Sequence, residues 1–464
     1  MIFTSFAFLA LLLIVLPLYY AVPFRAQNVL LLIASYVFYG WWDWRFLGLL
    51  FFSTILDYFI GLALERYSAQ GVRKAIIVFS ISTQLILLGF FKYYNFFISS
   101  FASLMEQFGI PVYLPLLSVI LPVGISFYTF HTISYTVDIY RRIAKPTTDF
   151  VGFALFISFF PQLVAGPIAR ASHLLPQCLA PRKPTWSKFF EGCYFFYWGL
   201  FKKVVVADNL AVIVDRAFNQ PDQLNAFSAL LGVYAFAWQI YCDFSGYSDM
   251  ARGCSKWMGF ELQVNFNVPY LAVDPSDFWR RWHISLSTWL RDYLYIPLGG
   301  NRCSVARVNF NLMVTMILGG LWHGASWTFV LWGLYHGLLL IVYRVLCPTL
   351  STDIKSVWKK CFHQIFFFHL VCISWLLFRS QNYSELGSYI AGFLRWPVWD
   401  KVMLVKVCFA LPVFVLEYFI YRSGKQNRFL EFPIWIRIIV YVCIYWALIS
   451  FGRWGGEGFI YFQF

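Results

Sequence analysis

Charge is scarce in this 464-residue sequence: 12% of residues are Asp, Glu, Lys or Arg and 60% are apolar, where soluble domains are roughly a quarter charged and half apolar. Water is therefore not the main solvent of the folded chain. The ten cysteines (178, 193, 242, 254, 303, 347, 361, 372, 408 and 443) form no C-x-x-C pair. Most lie in or beside apolar runs, so they read as small buried hydrophobes, with no disulfide framework or metal site implied. No glycine-rich phosphate loop, zinc signature or G-x-S-x-G occurs, which leaves nucleotide hydrolysis, metal chemistry and serine-esterase chemistry without support. Also missing are a low-complexity stretch, a separately folding soluble domain and the internal repeat that marks many secondary transporters.

Aromatic rings are abundant: 20 Trp, 29 Tyr and 52 Phe make 22% of the chain. They cluster where apolar runs meet charge, as in Tyr39-Gly40-Trp41-Trp42-Asp43-Trp44-Arg45, and such rings favour the bilayer interface. The formal charge of +14 would suggest nucleic acid in a soluble protein. Here the basic residues sit in short loops between apolar runs, so they orient the chain in a membrane, and no nucleic-acid partner is expected. The first run, residues 2–22, has neither a basic leader nor a small-residue cleavage site and reads as a retained span.

A span needs about 20 apolar residues and must be helical, because no lipid-facing backbone group can go unpaired. Candidate runs are 2–22, 28–41, 45–64, 75–98, 113–138, 150–165, 190–215, 225–247, 308–321, 325–346, 361–378, 402–421 and 434–452. Several are too short to cross alone, and about 11 full spans are expected. Arg25 follows the first run, and basic loops return at Arg66, Arg73-Lys74 and Arg141-Arg142 after each pair of spans. That pattern puts the N terminus in the periplasm. Pro161, Pro167, Pro176, Pro181 and Pro184 break the next segment and Lys202-Lys203 interrupt the one after. The reading is therefore a single membrane domain over 1–464: N-terminal spans (1–145), a re-entrant, funnel-like core (150–345) and C-terminal spans (350–464).

Ionisable residues inside apolar segments mark function by default, and three clusters qualify. Gly319-Gly320-Leu321-Trp322-His323-Gly324 sets a histidine among small residues that would let a substrate approach, and a neutral, desolvated imidazole suits proton abstraction from a hydroxyl. The bland alternative is a histidine satisfied in helix packing. His336 lies roughly 220° further around an unbroken helix and reads as packing. The second cluster runs from Trp279 through Arg280, Arg281, Trp282 and His283 to Arg291. It is either an interfacial amphipathic helix with snorkelling arginines or a site where the arginines meet phosphates and His283 meets the reaction centre. In the third, Asp243, Ser245, Tyr247 and Asp249 end an apolar run, where a structural ion pair with an arginine competes with a catalytic role.

These clusters, taken with Phe159-Phe160-Pro161-Gln162-Leu163-Val164-Ala165-Gly166-Pro167-Ile168, Asn265-Phe266-Asn267-Val268-Pro269-Tyr270 and the terminal Phe459-Ile460-Tyr461-Phe462-Gln463-Phe464, resemble the membrane-bound O-acyltransferase (MBOAT) family, in particular its alginate O-acetyltransferase (AlgI-like) group. The resemblance spans essentially the whole chain. It implies an all-α polytopic bundle around a central tunnel, with re-entrant and interfacial helices. His323 then matches the essential histidine and His283 the second active-site histidine. It further implies acetyl-CoA as co-substrate with no resident cofactor, a bacterial inner-membrane location, and a periplasmic SGNH-type acetyltransferase as partner in modifying an extracytoplasmic polysaccharide such as alginate or cellulose. Trp279, Arg280, Arg281, Asp243, Ser245, Tyr247, Asp249 and Trp322 are the candidate substrate- and donor-binding residues, and Lys202 and Lys203 further candidates for the donor's phosphates. Two other readings stay open: D-alanyl transfer from a carrier protein towards teichoic acids, and a transporter or flippase without chemistry.

Overall fold

The computed structural model describes residues 1–346, 356–455 and 458–460; Cys347 and the end of the terminal motif, Tyr461 to Phe464, lie outside the described residues. Every regular element among the described residues is a helix. The chain forms two compact units, one of Met1–Phe189 with Cys254–Leu262 and one of Phe190–Gly253 with Gln263–Phe464.

The first unit contains α1 (Phe6–Ala21), α2 (Phe24–Gly40), α3 (Leu47–Arg66), α4 (Gln70–Leu88), α5 (Tyr94–Gln107), α6 (Ile125–Tyr140), α7 (Phe150–Ser158), α8 (Phe160–Leu163) and α9 (Ala171–Leu179). The run expected as a span over 113–138 is helical only from Ile125. Pro111, Pro115 and Pro122 remove backbone donors before it, and Gly124 starts the helix at φ +79°. The proline-broken stretch behaves as its composition demands: residues 152–169 are all buried. Their loose polar groups find partners inside, since Phe160 N donates to Ser35 Oγ (3.1 Å), Gln162 Nε2 to Phe156 O (2.7 Å) and Ala169 N to His131 Nε2 (3.2 Å). Irregular backbone is tolerated at membrane depth only on those terms.

The second unit takes all but the first four residues of α10 (Trp186–Leu200), α11 (Asp208–Asn219) and all but the last four residues of α12 (Ala226–Trp257), followed by α13 (Pro275–Trp279), α14 (Ile284–Leu290), α15 (Val305–His323), α16 (Trp327–Leu346), α17 (Val357–Arg379), α18 (Tyr383–Gly392), α19 (Lys401–Val407), α20 (Leu411–Ser423) and α21 (Ile434–Phe451). Seven helices among the described residues are long and apolar enough to cross a membrane, and the protein is a multi-pass membrane protein. The expected 11 are not reached by that measure. Helices α1, α2, α6 and α10 have 16, 17, 16 and 15 residues, and at 1.5 Å per residue each covers about 24 Å of a core roughly 30 Å thick. Of the cysteines, Cys178, Cys242, Cys254 and Cys372 are buried as expected. Cys361, Cys408 and Cys443 are exposed instead, on helices apolar enough to span, where an exposed thiol meets lipid.

Two close crossings organise the second unit. A Cβ on Gly199 of α10 would stand 2.4 Å from the carbonyl oxygen of Gly246 on α12, and one on Gly253 would stand 2.6 Å from that of Gly192. Glycines seven residues apart on each helix thus let two backbones touch, the small-residue packing that membrane helices favour. The chain then reverses after His323 through Gly324-Ala325-Ser326, so that α15 and α16 form an antiparallel hairpin. Cβ atoms added at Gly320 and Gly333 would fall 2.2 Å from Phe329 O and 2.4 Å from Met316 O. Because the obstacles are backbone atoms, Gly333→Ala is expected to lower stability by about 1–3 kcal/mol, read as a drop in the thermal unfolding midpoint of the detergent-purified protein. An unchanged midpoint would mean the hairpin is looser than described.

Candidate active site

Lys202 and Lys203 lie in a π-helical segment, Phe201–Ala207, between α10 and α11. The wider turn lets both ammonium groups reach α12: Lys202 Nζ meets Asp249 Oδ2 at 2.6 Å and Ser245 Oγ at 2.9 Å, and Lys203 Nζ meets Asp243 and Asp208 at 2.8 Å each. Asp243 Oδ2 also accepts a bond from the backbone N–H of Ile460 (2.7 Å), tying down the terminal segment. The Tyr247 and Phe459 rings pack at a tilt, their centroids 5.1 Å apart. Asp243 and Asp249 therefore sit in the middle of a 32-residue helix, not at the end of a run, and their main partners are lysines, with Arg252 at 3.5 Å the one arginine contact of Asp249. A small polar cavity of about 40 Å³ borders Lys202, Asp249, Arg252, Ser248, Asn265 and Glu417.

Of the two readings left open for the stretch from Trp279, a single interfacial helix is not what the chain forms. Helix α13 ends at Trp279, and α14 starts only after His283, whose φ of +42° and ψ of 53° are left-handed. A non-glycine residue held there costs of order 1–3 kcal/mol and persists because its surroundings insist on it. Two backbone bonds do so: Asn267 N donates to Arg281 O and Ile284 N to Asn265 O, both at 2.9 Å. The break turns His283 inward, fully buried, while Arg280 stays 59% exposed near Asp277 and Arg281 donates to Asp277 at 2.8 Å. Arg291 is likewise at the surface, paired with Asp292.

His283 and His323 converge on one indole. The ring centroids of Trp322 and His323 are 5.1 Å apart and those of Trp322 and His283 are 5.8 Å apart. His323 further packs on Trp332 (5.0 Å) and Phe378 (5.2 Å). Trp332 also contacts His336 at 4.6 Å, and Trp279 contacts His336 at 5.1 Å. His336 thus joins the cluster instead of lying elsewhere around a helix, since the reversal at Gly324–Ser326 voids the angular argument from an unbroken one. The glycines beside His323 serve packing: a Cβ on Gly324 would strike the Phe329 ring at 2.1 Å. Several polar atoms of this cluster, His283 Nε2, both nitrogens of His336 and Trp279 Nε1, are buried without a hydrogen-bond partner among the described residues. Orphaned buried polar atoms are rare and demand a reason. Burial pushes the His283 imidazole down to about 3, so the ring is neutral.

Residues 141–380 match the MBOAT, membrane-bound O-acyltransferase family. The chain is 44% identical over 404 residues to a probable alginate O-acetylase AlgI of Azotobacter vinelandii, covering 86% of this chain and 79% of that protein. The chain belongs to the membrane-bound O-acyltransferase family. Other relatives of the acyltransferase include a peptidoglycan O-acetyltransferase of Helicobacter pylori (35% identical, 81% of this chain, 76% of that protein) and a teichoic acid D-alanyltransferase of Bacillus subtilis (26%, 56% and 69%).

Three residues of the acyltransferase carry more than the sequence suggested. Asn265 was part of a motif without a role, yet its side chain holds His283 and Ser285 (3.1 and 2.8 Å). Glu417, buried and bonded by the Tyr241 hydroxyl, is a lone carboxylate in an apolar run, the signal that intramembrane charge provides. Asp57, buried on α3, accepts bonds from Ser80 Oγ (2.7 Å) and Gln84 Nε2 (2.6 Å) and carried the same signal. Because Lys203 neutralises two buried carboxylates, Lys203→Met is expected to cost about 3–5 kcal/mol and abolish the yield of folded protein. Arg280→Ala, at the surface, should stay within about 0.5 kcal/mol of the parent. Equal thermal midpoints for both variants would refute the structural assignment of Lys203.

Proposed function

We propose that the acyltransferase moves an acetyl group from cytoplasmic acetyl-CoA across the bacterial inner membrane for O-acetylation of an extracytoplasmic polysaccharide, with its N terminus in the periplasm. The observation that carries this reading is the convergence of two imidazoles on Trp322, beside unsatisfied polar atoms of His283, His336 and Trp279, in a chain with relatives named as an alginate O-acetylase and a peptidoglycan O-acetyltransferase. The D-alanyl alternative is less well supported, as the relative of that name aligns with only 56% of this chain. The acceptor oxygen attacks the thioester carbonyl carbon while His323 takes its proton; the C–S bond then breaks and the departing thiolate recovers a proton from the imidazole. The buried N–H of Trp279 is suited to the carbonyl oxygen as negative charge develops there.

Arg280 and Arg281 are the side chains better placed to meet the phosphates of the donor, because they share one carboxylate, Asp277, nearer the surface, whereas Lys202 and Lys203 are buried against carboxylates. Both arginines can form charge-assisted bonds with phosphate. A periplasmic SGNH-type acetyltransferase would carry the group on to the polymer. The test is release of CoA from radiolabelled acetyl-CoA by purified protein, wild type beside His323→Ala. The variant is expected to lose at least about 100-fold in rate while its folded yield is unchanged. Full activity in His323→Ala would remove His323 from the chemistry, and no release by the wild type would remove acetyl-CoA as the donor.

A further inference from the structure

We infer that Asn265 is a positioning residue that fixes the tautomer of His283, holding its Nε2 as a hydrogen-bond acceptor for a substrate O–H or N–H. The backbone N–H of Ser285 can only donate, and it meets Oδ1 of Asn265 at 3.3 Å, so that atom is the amide oxygen and not the nitrogen. The Ser285 hydroxyl donates to the same oxygen at 2.8 Å. His283 Nδ1 lies 3.1 Å from it and, facing an acceptor, must carry the proton. In a neutral imidazole the other nitrogen then bears the lone pair, and Nε2 is the buried atom without a partner among the described residues.

The amide has no freedom to turn. Asn265 is 1% exposed, its Nδ2 donates to Ser248 Oγ on α12 at 3.2 Å, and its own carbonyl holds the amide of Ile284 at 2.9 Å. One residue thus receives four donors from the segment 283–285, three on its side-chain oxygen and one on its backbone carbonyl, and anchors that segment to α12. The arrangement follows the logic by which a second group orients a catalytic base. It also separates two roles for His283: with Nδ1–H fixed, Nε2 receives a hydrogen bond and does not donate one to an oxyanion.

This inference rests on the acetyl-transfer reading for its kinetic consequence but not for its chemical one, so the test has two arms. Full-length protein labelled with 15N-histidine is examined by magnetic resonance, the His283 signals being those that vanish in His283→Gln. Wild type and Asn265→Asp, which keeps an acceptor oxygen in place, are expected to show a protonated Nδ1 and an unprotonated Nε2, while Asn265→Ala loses that fixed form. In the acetyl-CoA assay, Asn265→Ala should lower kcat roughly 10- to 100-fold and leave the donor KM within about twofold. Asn265→Asp should recover most of the rate, and Asn265→Ala added to His283→Gln should cost nothing more. A protonated Nε2 in the wild type, an unchanged tautomer in Asn265→Ala, or losses that simply add would overturn the inference. Absence of CoA release by the wild type would defeat the donor assignment, and the tautomer measurement would still decide the role of Asn265.

Discussion

A polar group at membrane depth has no water to fall back on, and the structure of this acyltransferase is arranged around that shortage. Asp57 is answered by Ser80 and Gln84, Lys203 by two carboxylates, Asp243 by a lysine and a backbone amide, and Glu417 by a tyrosine. The broken backbone of residues 152–169 is closed off by side chains from its own unit. Against that thoroughness the unsatisfied nitrogens of His283, His336 and Trp279 stand out. They gather where α13, α15 and α16 meet, and a polar substrate entering there would complete what the protein leaves open.

Glycine packing is what brings these groups together. The crossing of α10 on α12 holds the lysines against Asp243 and Asp249, which in turn fixes α12 as the wall from which Ser248 reaches Asn265. The hairpin of α15 and α16 sets Trp322, His323, Trp332 and His336 side by side. Between these two supports the left-handed residue His283 turns its ring to Trp322. The two clusters are thus distinct in kind: the carboxylates of α12 are held by lysines, whereas the imidazoles of α15 and α16 pack among aromatic rings.

Much of this was legible in the sequence, and the failures have physical causes. Apolar composition, with the need to pair every backbone group in lipid, led to helical spans, the family resemblance to an all-α bundle, and the proline-broken middle to short buried helices. The count of about 11 spans is not confirmed by helix length and composition, which pick out seven among the described residues, because proline or left-handed glycine shortens helices inside apolar runs, as at Gly124. His323 and His283 were singled out as ionisable residues in or beside apolar segments, and the structure brings both rings to Trp322. His336 was set aside on an angle that holds only for an unbroken helix, and Asn265 could not be recognised because its importance lies in a tautomer fixed by a backbone amide twenty residues away. Lys202 and Lys203 looked like phosphate ligands because sequence shows a charge without its partner.

The most direct test of the proposed chemistry is a structure of the wild-type protein with a non-hydrolysable acetyl-CoA analogue bound. The account predicts the acetyl group beside Trp322, between His323 and His283, with its carbonyl oxygen within about 2.6–3.2 Å of an N–H donor of the cluster. An acetyl group bound instead in the polar cavity at Lys202 and Asp249, or away from both imidazoles, would contradict it.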